Sequence, residues 1–495
     1  MTMSVPFPMG QGRRDLLKKF GWTSLASVAQ MLAGIASVIV LTRFLSPADY
    51  GLYGIAFMAV AAAEVLTGGA LSSPIEQKSD VSRRELSTIF WSNIAIATTC
   101  NAIILPVAAL CASAAGWQDA TPVIAAACIL TLITAAGIVP ESLLRRQQAF
   151  RQLARAAMVS ALFGLAAGIG LAMMGAGVWS LIGLEAVRRL ILVSASFAMS
   201  GWRPQGGIDV AILRANLPFV SGMLAAGALG RVDRLAPQVA ATVFFGPTGL
   251  GMLAVATRIA DQIQAFVAQP VGAMALPVLS NAATDREKFH NLMADAWRAI
   301  AITSFPMLAG FAAIAPVLVP MMVGPDFAAV GLISAVTVLG HMRVVSSKVN
   351  IAATQAAGKA LTASASIASS FVAHVVLLLF LAPFGVLAIA SASLFRGWLT
   401  WPLAGWLVKS TTGFGMARQA AILAPPFIAS LVMGAGVCGL STLLEGLLPP
   451  VVEVAALVAS GVVLYAAALW MADPWVRKTV ASGEIRRLIK VNRAG

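Results

Sequence analysis

Charged side chains are scarce in this sequence, and their scarcity excludes a water-soluble protein. Asp, Glu, Lys and Arg make up 11% of the residues, against about 25% in soluble domains, whereas hydrophobic residues reach 59%. Cysteine is also rare. Cys100, Cys111, Cys128 and Cys438 all lie in apolar runs, which excludes a disulfide framework and a Cys-x-x-Cys metal site. The composition therefore indicates a polytopic membrane protein.

Long apolar runs alternate with charged or Gly/Pro-rich breaks. A helix needs about 20 mainly apolar residues to cross about 30 Å of hydrocarbon. Fourteen runs meet that requirement. Their limits are 22–45, 50–73, 88–115, 120–140, 156–175, 177–200, 212–243, 249–277, 297–323, 327–354, 360–382, 384–408, 417–441 and 448–472. The predicted fold class is an all-α, multi-pass membrane protein with 14 transmembrane helices.

Basic residues are distributed unevenly between the predicted loops. Most of the 34 Lys and Arg residues fall on the side of the N-terminal tail, and we count among them Arg145, Arg146, Arg188, Arg189 and the C-terminal tail. Because cytoplasmic loops carry an excess of Lys and Arg, both termini are predicted to be cytoplasmic. The same bias explains the net charge of +14, and no aromatic-interleaved basic module suggests a nucleic-acid partner.

Two stretches 200 positions apart are alike. Residues 44–57 read FLSPADYGLYGIAF and residues 244–257 read FFGPTGLGMLAVAT, which aligns a proline and a glycine of each stretch. Each marks the outer turn between the first two spans of a six-span block. We therefore expect two lobes of one topology, residues 1–206 and 207–414, related by an axis along the membrane normal, followed by two further spans in 415–495. Chance similarity between apolar stretches is the alternative.

Arginines inside the predicted spans are the candidate binding residues. An ionisable group near the bilayer centre costs at least about 2.5–3.5 kcal/mol and usually faces a cavity or a partner. The arginines are Arg231, Arg234, Arg258, Arg343 and Arg396. The planar guanidinium group suits bidentate contact with phosphate or carboxylate oxygens. The arginines therefore predict an anionic ligand held within the bilayer.

Three acids share this depth, namely Glu64, Asp233 and Asp261. They are candidates for carrying a coupling proton or Na⁺, and Glu64 has no cation within four residues on its own span. Structural ion pairs are the alternative for both aspartates. Asp261 is three positions from Arg258, a spacing that allows a pair on one helix face, and Asp233 is close in sequence to Arg231 and Arg234. His374 is interpreted as a satisfied interior histidine. The loops hold no catalytic set, phosphate loop or metal-ligand constellation, so we expect neither an enzyme nor a cofactor.

Several stretches stand out by their order and spacing. They read LTRFLSPADYGLYGIAF (41–57), PESLLRRQQAFRQLARA (140–156), GVWSL (177–181), WRP (202–204) and RVDRLAPQVAATVFFGPTGLGMLAVATRIA (231–260). Together they resemble the polysaccharide-exporter (Wzx-type) branch of the multidrug/oligosaccharidyl-lipid/polysaccharide flippase superfamily. The resemblance runs along most of residues 15–415.

The resemblance implies a function beyond what composition indicates. It implies translocation of undecaprenyl-pyrophosphate-linked oligosaccharide across the bacterial inner membrane by alternating access, with cavity arginines receiving the pyrophosphate. It also implies that the family's Asp–Arg pair on span 7 corresponds to Asp233 and Arg234. The implied partners are the polyprenyl-linked oligosaccharide, the lipid bilayer, a polysaccharide polymerase and a chain-length regulator.

Two other functions are compatible with the sequence. One is a drug/cation antiporter of the same superfamily, and the other is a flippase for the peptidoglycan lipid precursor. A drug antiporter should have an acidic interior, whereas arginines outnumber acids within these spans.

Overall fold

A computed structural model describes residues 28–67, 75, 81–282 and 285–481, and these residues contain helices and connecting turns but no strand. In chain order the helices are α1 (Val28–Leu41 as described), α2 (Pro47–Thr67), α3 (Arg83–Ala114), α4 (Ala120–Arg146), α5 (Phe150–Met173), α6 (Trp179–Ser200), α7 (Val210–Asn281), α8 (Arg286–Val323), α9 (Val330–Ala356), α10 (Ala360–Leu381), α11 (Val386–Leu399), α12 (Trp401–Thr412), α13 (Met416–Leu444), α14 (Pro450–Ala472) and α15 (Pro474–Ala481).

The predicted spans coincide with these helices wherever the residues are described, with two differences. The spans 212–243 and 249–277 both lie in α7, whose helical geometry is interrupted at Gly246 (φ 63°, ψ −162°). The span 384–408 is divided into α11 and α12, because Pro402 near the start of α12 lacks the N–H that a continuous helix requires. Residues 22–27 and 68–73 of the first two predicted spans lie outside the described residues.

Nine helical stretches among the described residues are long and apolar enough to cross a membrane. They are α3, α4, α5, Leu229–Ala265 within α7, α8, α9, Ala365–Phe384, α13 and α14. Large apolar side chains such as Leu110, Leu379 and Phe380 are exposed on the surface of these helices. Such a surface is favourable in contact with lipid and unfavourable in contact with water. The all-helical part of the predicted fold is confirmed.

The chain forms two compact units, Met1–Ala254 and Val255–Gly495. In the first unit, Val60 of α2 packs with Ile124 of α4 in one apolar cluster. In the second unit, Trp297 of α8, Val345 of α9 and Met433 of α13 belong to one cluster, which Leu457 of α14 also joins. The last two long helices therefore share the core of the second unit. The lobe boundaries expected after residues 206 and 414 stay a prediction.

The two repeated sequence stretches meet within the first unit. Gly51 lies against the backbone of Pro247, and Gly251 lies against the backbone of Pro47. A Cβ atom added to either glycine would stand 1.8 Å from the facing carbonyl oxygen, so only glycine allows these two helix starts to approach so closely. The contact is reciprocal between aligned residues. This pairing favours a true repeat over chance similarity.

Candidate functional site

In the first unit, α6 carries a buried ion-pair network. Glu185 is buried and is followed three and four positions later by Arg188 and Arg189, a spacing that places all three on one face of the helix. Arg188 Nε donates to Glu185 Oε2 at 2.8 Å, and Arg189 Nε donates to Glu185 Oε1 at 2.6 Å. One carboxylate therefore binds two guanidinium groups.

The remaining nitrogens of Arg189 join α6 to two other helices. Nη1 donates to Thr134 Oγ1 of α4 at 2.6 Å and to the Leu130 carbonyl at 3.2 Å. Nη2 donates to Glu64 Oε1 of α2 at 3.1 Å. Each nitrogen of this guanidinium has an acceptor and two carboxylates balance its charge. Arg189 is thus a structural link between three helices.

Glu64, the predicted coupling carboxylate, is paired across helices. Besides Arg189, it lies near Arg231 of α7, whose Nη1 is 3.7 Å from Glu64 Oε2 and whose side chain is 49% exposed. The network therefore alternates in charge from Arg188 through Glu185, Arg189 and Glu64 to Arg231. A carboxylate held by two cations suits a structural role, and ion coupling by Glu64 stays a prediction.

The structure corrects the position expected for Arg188 and Arg189. The predicted topology places them on the cytoplasmic side, but they lie in the middle of α6, where the buried Glu185 is a further acid within the helix. The signal was present in the sequence, because an acid with arginines three and four positions later is the spacing of a same-face ion pair.

In the second unit, Arg343 of α9 is a buried cation that donates to a serine hydroxyl. Its side chain is 7% exposed, Nη1 donates to Ser346 Oγ at 2.9 Å, and its stem packs against Gly397 of α11. Among the residues that the structure describes, no acid forms an ion pair with it, and its Nε has no hydrogen-bond partner. A buried charge without a counter-charge is costly, so an external anion would stabilise this position.

Arg396 of α11 is held by a histidine on α10. Its Nη1 lies 3.3 Å from Nδ1 of His374, and His374 Nε2 lies 3.1 Å from Ser393 Oγ. Because a guanidinium group only donates, Nδ1 must accept and Nε2 carries the ring proton. His374 is 2% exposed and neutral in this arrangement, as expected of an interior histidine, but the sequence does not predict its arginine partner.

Asp261 of α7 faces a histidine from a distant part of the chain. Oδ1 of Asp261 is 3.7 Å from Nε2 of His341 on α9, and the Asp261 side chain is 56% exposed. Lys348 and Arg396 also interact electrostatically with His341. Helices α7, α9 and α11 therefore bring an acid, an imidazole and two cations together. No spacing in the sequence predicts this cluster, because its members come from distant parts of the chain.

The other predicted site residues lie on α7. Arg234 is exposed, whereas Asp233 and Arg258 are half-buried. Their binding and coupling roles stay predictions. Among the described residues, no group of three His, Cys, Asp or Glu side chains is arranged to hold a metal ion.

The sequence is similar to known proteins over most of its length. The sequence model of the family described as "Polysaccharide biosynthesis protein" matches residues 40–331. The chain is 24% identical over 315 residues to the succinoglycan biosynthesis transport protein ExoT of Rhizobium meliloti (strain 1021), a match that spans 64% of each protein. It is 19% identical over 335 residues to the lipopolysaccharide biosynthesis protein WzxC of Escherichia coli (strain K12), which covers 66% of this chain and 67% of that one.

Solved structures share the fold at low sequence identity. The lipid II flippase MurJ in an inward closed conformation superposes with a TM-score of 0.73 at 15% identity, covering 92% of this chain and 99% of MurJ. An inward-facing multidrug resistance transporter of the MATE family and MOP superfamily gives a TM-score of 0.53 at 14% identity, covering 79% of this chain and 99% of that one. These similarities show that the chain has the same all-helical fold as these two proteins.

Proposed function

This chain belongs to the polysaccharide biosynthesis protein family, and from that premise we propose that it is a flippase for lipid-linked oligosaccharides. The substrate is an oligosaccharide repeat unit on undecaprenyl pyrophosphate, carried from the inner to the outer leaflet of the bacterial inner membrane. There a polymerase, with a chain-length regulator, would use it to build exopolysaccharide, capsule or O-antigen-like polymer. The family and the transport role named for the succinoglycan relative support this proposal.

The proposal includes the topology that the sequence predicts. Fourteen helices cross the membrane, and both termini face the cytoplasm. The positive-inside distribution of Lys and Arg supports this orientation.

The observation that carries the proposal is the environment of Arg343. Pyrophosphate cannot enter hydrocarbon without charge compensation, because desolvating it is too costly. A carrier of pyrophosphate must therefore present cations whose charge is not already neutralised by its own acids. Arg343 is buried, and no acid among the described residues forms an ion pair with it. A pyrophosphate oxygen would supply the missing acceptor to its Nε.

Arg396 would provide a second contact from α11, close to the Arg343 stem that packs on Gly397. Its histidine partner orients the guanidinium without adding negative charge. Arg231, Arg234 and Arg258 are assigned the same role along the route. The polyprenyl tail would remain in the lipid while alternating access moves the headgroup.

A flippase for the peptidoglycan precursor is the second candidate. The fold similarity to the lipid II flippase supports it, and its substrate is also an anionic lipid-linked sugar. A strain that survives deletion of the gene but lacks surface polysaccharide would exclude this candidate. A drug/cation antiporter is less favoured, because a buried arginine repels cationic drugs.

Flipping in proteoliposomes tests the proposal. The purified protein is reconstituted with a polyprenyl-pyrophosphate-linked oligosaccharide, and appearance of the sugar on the opposite leaflet is measured with a membrane-impermeant lectin. We expect Arg343→Gln and Arg396→Gln each to slow flipping by about tenfold or more, since a hydrogen bond to a charged group contributes about 1.5–3 kcal/mol. Arg418→Gln removes an exposed arginine of the same unit and should flip at the wild-type rate.

Two results would overturn the proposal. One is a wild-type protein that moves this lipid no faster than protein-free vesicles do. The other is normal flipping by both arginine variants.

A further inference from the structure

The end of α14 and the short helix α15 carry aromatic and basic side chains that have no role in the transport step above. α14 is long and apolar enough to cross a membrane and contains no Lys or Arg. A single residue, Asp473, separates it from α15, which carries Arg477 and Lys478. Basic side chains therefore begin where the apolar helix ends, which is where the surface of a bilayer is expected.

Contacts within the second unit hold α15 in place. Asp473 has an extended backbone, and its Oδ1 accepts a hydrogen bond from the backbone N–H of Trp475 at 2.9 Å. Val476 packs against an apolar cluster that includes Ala429 of α13 and Ala468 of α14. Successive helical residues are about 100° apart, so Trp475 and the residue after Val476 lie on either side of this contact.

Two tryptophans flank the junction between α14 and α15. Trp470 of α14 is 46% exposed, and Trp475 of α15 is 42% exposed. Tryptophan is enriched at the level of the lipid headgroups, because its ring is apolar and its N–H is polar. The two rings therefore favour a position of this junction at the membrane interface.

An arginine of α8 adds a cation beside the second ring. Cζ of Arg298 lies 4.5 Å from the centroid of the Trp475 ring, a cation–π contact. A guanidinium group that stacks by its face can still donate from its edge to phosphate oxygens. Its acidic neighbour Asp295 is 67% exposed and 3.8 Å away, from Nη1 to Oδ1, so this pair is weak. We name Arg298, Trp475 and the exposed Arg477 the α15 basic patch.

The sequence that follows α14 continues the positive charge. Residues 474–495 contain one acid, Glu484, and six bases, which are Arg477, Lys478, Arg486, Arg487, Lys490 and Arg493. About four to eight basic residues next to a membrane span are typical of segments that bind anionic lipids. The charge therefore favours an anionic partner, and the tryptophans and the adjoining apolar helix favour a partner within the membrane.

We propose that the α15 basic patch binds the headgroups of anionic phospholipids. Arg298 and Arg477 donate to phosphate oxygens, and the ring of Trp475 lies among the polar groups of the lipid. The patch thereby anchors the end of α14 to one leaflet of the bilayer. This role does not depend on which substrate the protein transports.

Lipid binding to the full-length protein tests the proposal. Phosphatidylglycerol or phosphatidylcholine with the same acyl chains is titrated into the protein in detergent, and the apparent Kd is measured by native mass spectrometry. We expect wild type to prefer phosphatidylglycerol. The double variant Arg298→Gln with Arg477→Gln should bind this lipid about tenfold more weakly or worse, since each base near an anionic surface contributes about fivefold in affinity. Its binding of phosphatidylcholine should not change.

Three further variants separate lipid binding from folding and from overall charge. Arg477→Gln alone changes an exposed side chain and should weaken phosphatidylglycerol binding about fivefold. Arg298→Lys keeps a cation and should retain most of the affinity. The matched control is Lys359→Gln with Lys409→Gln, which removes two exposed bases of the same unit and should bind phosphatidylglycerol as wild type does.

Three results would overturn the proposal. Equal Kd values of wild type for the two lipids would show that the charge of the headgroup is not recognised. An equal loss of affinity in the Arg298/Arg477 variant and in the lysine control would assign lipid binding to overall positive charge. Unchanged binding by the Arg298/Arg477 variant would leave the patch for an acidic protein partner. The flippase proposal stands in each case, because it is measured by flipping and not by lipid affinity at α15.

Discussion

Buried arginines have different kinds of partner in the two units of this protein. In the first unit, Arg189 gives all of its nitrogens to acceptors and shares two carboxylates, Glu185 and Glu64. In the second unit, Arg343 binds the hydroxyl of Ser346, and Arg396 binds the ring of His374. The first network is nearly balanced in charge, whereas Arg343 forms no ion pair with an acid among the described residues, and the imidazole that Arg396 contacts is neutral.

This difference separates a structural role from a binding role. An arginine enclosed by carboxylates fixes helices to one another, and its charge is already satisfied. An arginine oriented by a hydroxyl or an imidazole keeps its positive charge for a ligand. The comparison therefore assigns stability to the α6 network and substrate binding to the arginines of α9 and α11.

Glu185→Gln should have the largest effect on stability. Removing one partner of a buried ion pair leaves the other uncompensated and costs about 3–5 kcal/mol. Here two arginines lose their shared carboxylate, so we expect a strongly lowered thermal midpoint and a smaller monodisperse fraction after detergent extraction. The double variant Glu185→Gln with Arg189→Gln removes a cation as well and should recover part of the loss. A thermal midpoint equal to that of wild type would refute the structural role.

Arg343→Met should have the reverse effect on stability. It replaces an uncompensated buried charge with an apolar side chain of similar length, and so removes a cost of at least about 2.5–3.5 kcal/mol for an ionisable group near the bilayer centre. We expect a raised thermal midpoint together with lost flipping. If Arg343→Met instead destabilises the protein as Glu185→Gln does, the two units do not differ in the way described above.

The sequence predicts the helices well because each follows from its own apolar run. It also shows that the predicted spans of Arg343 and Arg396, 327–354 and 384–408, contain no Asp or Glu, which is a local property. It does not reveal that Glu64 meets Arg189, 125 positions later, or that Asp261 meets His341. Such pairs depend on how helices pack, and an isolated acid in one span carries no information about the span that will face it.

His374 offers a smaller and more specific test of the comparison. Its Nδ1 accepts from Arg396 and so positions the guanidinium without neutralising it. His374→Gln keeps an acceptor, the amide oxygen, and should flip nearly as wild type does. His374→Leu removes the acceptor and should raise the KM for the lipid-linked oligosaccharide about tenfold, equivalent to about 1.4 kcal/mol, with little change in kcat.

A purely structural role for His374 predicts a different pattern. In that case Leu and Gln would lower the amount of folded protein to a similar degree, and KM would not change. Equal KM values for wild type and His374→Leu would therefore remove His374 from the binding machinery.

Arg231 should show the smallest effect, and it marks the edge of the first network. Its side chain is half exposed and stands 3.7 Å from Glu64, and exposed pairs of this kind contribute about 0–1 kcal/mol. We expect Arg231→Gln to leave the thermal midpoint almost unchanged. It should slow flipping about twofold to fivefold, because the variant lacks an exposed cation that attracts the anionic headgroup. A loss of stability as large as that of Glu185→Gln would show that Arg231 is part of the structural network. Every arginine of that network would then have a structural role, and none would be left to bind substrate.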